Sequence, residues 1–251
     1  MALYMIGIGL DSAKDITVKG LEAVKKCDKV YLETYTSVLQ CSIKDLEKLY
    51  GKKIIPADRD LVEKKAEKTI LKDAKEKNAA FLVIGDVFGA TTHTDLKLRA
   101  LDAGIKVNVI HNASILNAVG ITGLELYKFG KVTSIPFNNK DVEAPYDILE
   151  LNKKMGMHTL FLLDLNPKQK KFLTIKDAIE YLLKTGEKKG SKTFTKEHEC
   201  IGCARLGSNN PTIKSGYAKD LVNFDFGKPP YCLIVPGELH FMEEEALEKF
   251  V

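Results

Sequence analysis

A chain of 251 residues, 45% of them hydrophobic, can fill two modest cores; no apolar run approaches the roughly 18 residues of a membrane-crossing helix, and MALYMIGIGL lacks a basic leader and meets Asp11 at once, so a globular cytoplasmic protein is expected. The net charge of +4 is the difference between 38 basic and 34 acidic residues, mostly lysines interleaved with acids as on solvated helix faces, and with Arg59, Arg99 and Arg205 as the arginines and no tryptophan the chain lacks the readers that sequence-specific nucleic-acid binding needs. Five cysteines, Cys27, Cys41, Cys200, Cys203 and Cys232, are odd in number and scattered through apolar segments, which suits a reducing compartment rather than a disulfide framework.

Along the chain, apolar runs at 3–10, 29–33, 52–57, 79–85 and 106–111 alternate with helical patterns at 17–27, 42–50, 60–77 and 92–103. Such βα alternation predicts a mostly parallel sheet. Asp15 or Thr17 is placed to cap the first helix. After His111 the segment HNASILNAVGITGLELYKFG is rich in small and turn residues, and strand-like runs follow at 131–137, 158–165, 199–206 and 231–236. Helical patterns at 146–155, 174–185 and 241–250 make this half α/β as well, while the Lys/Gly-rich stretch 184–192 reads as an exposed loop. The expected architecture is therefore two α/β domains, 1–112 and 113–251, with a ligand cleft between them.

The most informative stretch is FLVIGDVFGATTHTDL at 81–96, where an apolar strand ends at Gly85-Asp86 and a small-residue turn leads into a helix. Asp86 reads either as an N-cap or as a carboxylate that binds a ligand ammonium or hydroxyl at a strand end, with Gly89 letting a ligand approach the backbone. Gly7-Ile-Gly9-Leu-Asp11-Ser12 resembles a dinucleotide fingerprint, with Glu33 ending the second strand, but Ser12 and the additional loop before the helix break the match; a turn exposing the backbone at Gly9-Leu10 and a purely structural turn stay open beside it. Cys200-Ile-Gly-Cys203 is a lone CxxC without two further ligands at a matching spacing, so its thiols are expected in apolar or sheet-surface positions. His93, His111, His158, His198 and His240 form no close catalytic arrangement in the sequence.

Four segments taken together, IGIGLDSAKDITVKGLEAVKKCDKVYLETYTS, FLVIGDVFGATTHTDLKLRA, VIHNASILNAVGITGLELYKFG, and HTLFLLDL with CARLGSNNPTIKSGYAKDL, closely resemble the diphthine synthases over essentially the whole chain. The resemblance implies the tetrapyrrole methylase-like fold, S-adenosylmethionine as cofactor in the cleft, S-adenosylhomocysteine as its product, and a homodimer. It also implies a protein substrate, translation elongation factor 2, whose 3-amino-3-carboxypropyl-histidine intermediate is methylated on its amino nitrogen in diphthamide biosynthesis. At 251 residues the chain matches the shorter family members, which make trimethylated diphthine, in preference to the longer type that adds a methyl ester.

By the same resemblance the cofactor contacts are Leu10, Asp86, Gly89, Ser114 and Ile115, with Leu163, Leu206 and Tyr231 from the second half, several of them acting through backbone groups. Val87 stands where the family has proline, and Tyr231 where it often has histidine. No metal is expected, and no residue is assigned as the base. The alternatives are a methyltransferase acting on a small tetrapyrrole, an NAD-dependent oxidoreductase using Gly7, Gly9 and Glu33, and a non-enzymatic binding module.

Overall fold

Strands β1 (Ala2–Gly7), β2 (Lys29–Glu33), β3 (Ile55–Ala57), β4 (Asn78–Val83) and β5 (Lys106–Ile110) alternate with helices α1 (Val18–Lys25), α2 (Ile43–Tyr50), α3 (Arg59–Lys64), α4 (Ile70–Glu76) and α5 (Thr94–Asp102). All pair in parallel in the order β3-β2-β4-β1-β5. β1 and β4 are apolar along nearly their whole length because both faces are covered. Leu3, Met5, Phe81 and Val83 enter the core on one side; Ile6, Ile8, Ala80 and Leu82 enter the other.

In this computed structural model, which describes residues 1–251, the sheet and its helices belong to a unit of Met1–Ala118 with Gly207–Asn209, and Val119–Leu206 with Asn210–Val251 form a second unit. The helix starts follow side-chain chemistry. Of the two candidate caps for α1, Thr17 takes the role, its hydroxyl accepting from the Gly20 N–H at 3.0 Å. Asp15 instead closes the turn before it, accepting from the Asp11 and Ser12 N–H groups at 2.8 and 3.0 Å. The expected helix over 60–77 is two helices separated by a 3₁₀ turn at Ala66–Lys68 and a non-helical Thr69 (φ −130°, ψ −95°). Val62, Ala66, Ile70 and Ala74 are all buried; a strict four-residue spacing drifts by roughly 40° per step on a straight α-helix, and the break restores the phase.

The second unit carries β6 (Thr133–Ile135), β7 (Thr159–Leu163), β8 (Leu165–Asn166), β9 (Lys171–Phe172), β10 (Glu199–Ala204), β11 (Thr212–Tyr217) and β12 (Tyr231–Val235). Helix α6 (Ile115–Ala118) closes the first unit, and α7 (Ala144–Lys154), α8 (Ile175–Lys189), α9 (Ala218–Leu221) and α10 (Phe241–Glu248) lie in the second. Its main sheet runs β11-β10-β12-β7-β6, antiparallel except for β6 with β7; β8 and β9 form a separate hairpin.

Within the stretch 184–192, residues 184–189 are helix and not loop. Helix α8 continues through Thr185 and Gly186, both buried, to Lys189 and stops at Gly190 in the left-handed conformation (φ +62°). Gly186 is in the helix for packing: a Cβ there would stand 2.6 Å from the Tyr146 hydroxyl. The CxxC thiols do not converge either. Cys200 and Cys203 are three apart on a strand and so point to opposite faces, both are buried, and Cys203 pairs in register with Cys232 of β12. No helix is long and apolar enough to cross a membrane.

Candidate functional site

In the first unit β4, β1 and β5 are parallel neighbours, so their carboxyl ends emerge along one edge. Beyond β1, the Ile8 N–H reaches the Val83 carbonyl at 2.9 Å, and Gly9 and Gly85 exchange both backbone bonds, at 3.3 and 2.7 Å. Both glycines have positive φ, +80° and +83°, which lets the two strand ends turn toward each other without a Cβ penalty. The backbone groups of Gly9 are thus consumed by Gly85. They do not form a pyrophosphate cradle.

Asp86 follows at once. One carboxylate oxygen accepts from the Phe88 N–H at 2.9 Å; the other accepts from the Asn112 N–H at 3.0 Å and lies 2.9 Å from Nδ1 of His111. Burial works against ionisation, but those two N–H groups and the imidazole prevail and hold the carboxyl below its ordinary range. Asp86 does not cap α5, whose N-cap position is His93 without a side-chain cap. It ties the end of β4 to the end of β5.

Asn112 completes the clamp. Its amide donates to the carbonyls of Gly7 and Asp15, each at 3.0 Å, and its oxygen accepts from the Ala113 N–H at 2.7 Å. Ser114 is buried, opens α6 by accepting from the Leu116 N–H, and packs so closely under Gly89 that a Cβ on that glycine would come within 2.6 Å of it. Ile115 is the first residue of α6. Gly85 is buried against Leu10, the Ala113 carbonyl and Ser114, which lie 3.5, 3.7 and 3.8 Å from where a Cβ would stand. Leu10, Asp86, Gly89 and Ser114 are therefore brought together, with Val87 wholly buried beneath them and its carbonyl bonded to the Thr91 hydroxyl at 2.6 Å.

Glu33 has a different fate from the one a dinucleotide site requires. It is fully buried, and its oxygens accept from the N–H groups of Tyr35 and Thr36 and from the Thr36 hydroxyl. Burial raises its pKa against those donors. With no free face, it cannot accept from a ribose.

In the second unit, antiparallel pairing brings the end of β7, the end of β10 and the start of β12 to the same sheet edge: Leu162 pairs with Cys232, and Ala204 with Tyr231. Leu163, Leu206 and Tyr231 accordingly gather there. The Tyr231 hydroxyl donates to the Gly227 carbonyl, and burial raises its pKa. Arg205, held at φ +53°, organises this edge by donating to the carbonyls of Phe226 and Lys228 and to the Thr212 hydroxyl at 2.6 Å. Sequence reasoning missed Arg205, Asn112 and the partner of His111. The available signal was a polar residue within three positions of a strand end in each case.

The family described as Tetrapyrrole (Corrin/Porphyrin) Methylases matches residues 2–222. The diphthine methyl ester synthase of Dictyostelium discoideum is 45% identical, with 100% of this chain and 98% of that protein aligned. The chain belongs to the diphthine synthases of the tetrapyrrole methylase family. The Saccharomyces cerevisiae diphthine methyl ester synthase is likewise 45% identical, over 99% of this chain and 89% of its own length. A crystal structure of a diphthine synthase superposes with a TM-score of 0.92 at 38% identity, covering 100% of this chain and 96% of that one.

A diphthine synthase needs a methyl donor, and the first unit's strand-end edge fits a small cationic one. Asp86 is an anion at neutral pH, and its side chain stays partly open to solvent, 14% exposed.

Proposed function

We propose that this diphthine synthase transfers methyl groups from S-adenosylmethionine to the 3-amino-3-carboxypropyl-histidine of translation elongation factor 2. The observation that carries the reading is the full-length likeness, at 45% identity, to enzymes named for that product. Those names speak of a methyl ester, although the chain's length matched the shorter, trimethylating members. We therefore include the carboxylate as a further acceptor after the amine is trimethylated. Methylation of a small tetrapyrrole is not favoured, because the full-length relatives act elsewhere by name.

Leu10, Asp86, Gly89, Ser114 and Ile115 are the cofactor contacts we propose in the first unit; Leu163, Leu206 and Tyr231 are those in the second. S-adenosylmethionine supplies an electrophilic methyl group on a sulfonium. The chain's own contribution is positioning: Asp86 and Asn112 lock three strand ends together, so that the groups around Gly85 are preorganised. A homodimer is part of the proposal, and light scattering on the purified chain tests it.

The deciding experiment incubates the protein with methyl-labelled S-adenosylmethionine and elongation factor 2 bearing the unmethylated intermediate. Label on the factor is expected, part of it released by mild alkali as an ester hydrolyses. Label that is wholly alkali-stable removes the ester from the reading, and no label overturns the reading itself.

A further inference from the structure

N-methylation requires a neutral amine, so each round needs a group that removes an ammonium proton. We infer that His111 is the general base of N-methylation and that Asp86 fixes its tautomer. The inference rests on the function proposed above. Nδ1 of His111 lies 2.9 Å from the Asp86 carboxylate, an acceptor-only group, so Nδ1 carries the proton and Nε2 keeps its lone pair. Asp86 is the charged group in contact with the ring, and it is itself fixed by the Phe88 and Asn112 N–H groups. The imidazole side chain is 69% exposed and leans edge-on against Phe88, with ring centroids 6.2 Å apart. It is therefore oriented on one side and open on the other, at the strand-end edge that carries Asp86.

The remaining histidines are committed to structure. His93 is buried edge-on against Phe81. His158 is fully buried, with one nitrogen on Glu243 and the other accepting from the Gly237 N–H. Nδ1 of His198 accepts from the Thr195 N–H, and Nδ1 of His240 caps α10. In the proposed step the substrate ammonium gives its proton to Nε2. The freed nitrogen pair forms the new N–CH₃ bond as the S–CH₃ pair departs with sulfur, and the imidazolium returns its proton to water. Esterification differs, because a carboxylate is already deprotonated and needs no base.

That difference supplies the test. His111→Asn keeps an amide donor for Asp86 but removes the base. With elongation factor 2 carrying the unmethylated intermediate in one assay and the trimethylated form in another, the ratio of esterification to N-methylation should rise about a hundredfold over the unsubstituted enzyme. Added imidazole should restore N-methylation to His111→Ala, which keeps the comparison available if no ester forms. Independently of turnover, ¹⁵N NMR of the ligand-free protein should show His111 protonated at Nδ1 and bare at Nε2, a preference that Asp86→Asn should weaken. Equal loss of both reactions, no loss of N-methylation, or the reverse tautomer overturns the assignment. Failure of the unsubstituted enzyme to label the factor at all would instead be a failure of the proposed function.

Discussion

Asp86 acts twice at the scale of a single side chain: it carries charge at the proposed donor site, and its oxygens satisfy two backbone N–H groups from different strand ends. Replacing it with alanine orphans both donors, at a cost on the order of 1–3 kcal/mol for each one left without a partner. We expect Asp86→Ala to lower both the unfolding midpoint and the affinity for S-adenosylhomocysteine, the latter by at least about tenfold, or roughly 1.4 kcal/mol. Unchanged affinity by calorimetry removes Asp86 from the donor site. Tyr50 tests the same rule in reverse. Its ring is fully buried in the first unit's core and its hydroxyl has no hydrogen-bond partner. Tyr50→Phe removes an unsatisfied oxygen without opening a large cavity, so urea unfolding should show a gain of about 1 kcal/mol; a loss means that the hydroxyl has a partner such as an ordered water.

For elements, helix α8 shows packing overruling propensity. In an exposed helix interior, Gly→Ala stabilises by about 1 kcal/mol. At Gly186 the added methyl would meet the hydroxyl of Tyr146, which is fully buried and therefore unable to swing away. Overpacking of this kind costs about 1–3 kcal/mol, so we expect Gly186→Ala to lower the urea midpoint; a rise would mean that Tyr146 relaxes freely. The same residue explains why the helix was not readable to its end: a Lys/Gly-rich stretch has the composition of a loop, and the tyrosine that requires the glycine is 40 positions away. Apolar strands buried on both faces, such as β1, β4 and β10, were legible because the signal is local. Edge strand β11 was not, since TIKSGY is half-exposed and gains its place from pairing with β10. The site divides in the same way. The turn at Asp86 stood out in the sequence, whereas its partners Asn112 and His111 are 26 and 25 residues distant and emerge only when β4 and β5 take their places beside β1.

For the whole molecule, the buried pair His158 and Glu243 makes stability respond to acid. Glu243, on α10, has a fully buried side chain that accepts from the Glu125 and His240 N–H groups at 2.9 and 2.8 Å, from Lys128, and from Nε2 of His158 at 2.9 Å. Burial opposes its ionisation, but the two N–H groups, Lys128 and His158 outweigh it and draw the pKa from 4.5 down to about 2. Burial likewise lowers the pKa of His158 below 6.5, against the pull of Glu243. The signs agree. At falling pH the unfolded chain binds protons at both positions before the folded one does, so both contributions are present above the unfolded pKa values and fade as acid is added. Stability should first decline as pH drops below about 6.5 through His158 and through His93, whose pKa burial lowers to about 4, then from about 4.5 toward 2 as the advantage of Glu243 is lost, which for this buried carboxylate is on the order of 3 kcal/mol. Because the chain has two units, the readout should be local: amide exchange in α10 and β7, measured across the titration. Glu243→Gln should exchange faster at neutral pH, since it leaves Lys128 without its anion, and should lose the steep acid limb below 4.5. Retention of that limb in the variant would assign the acid response to other carboxylates.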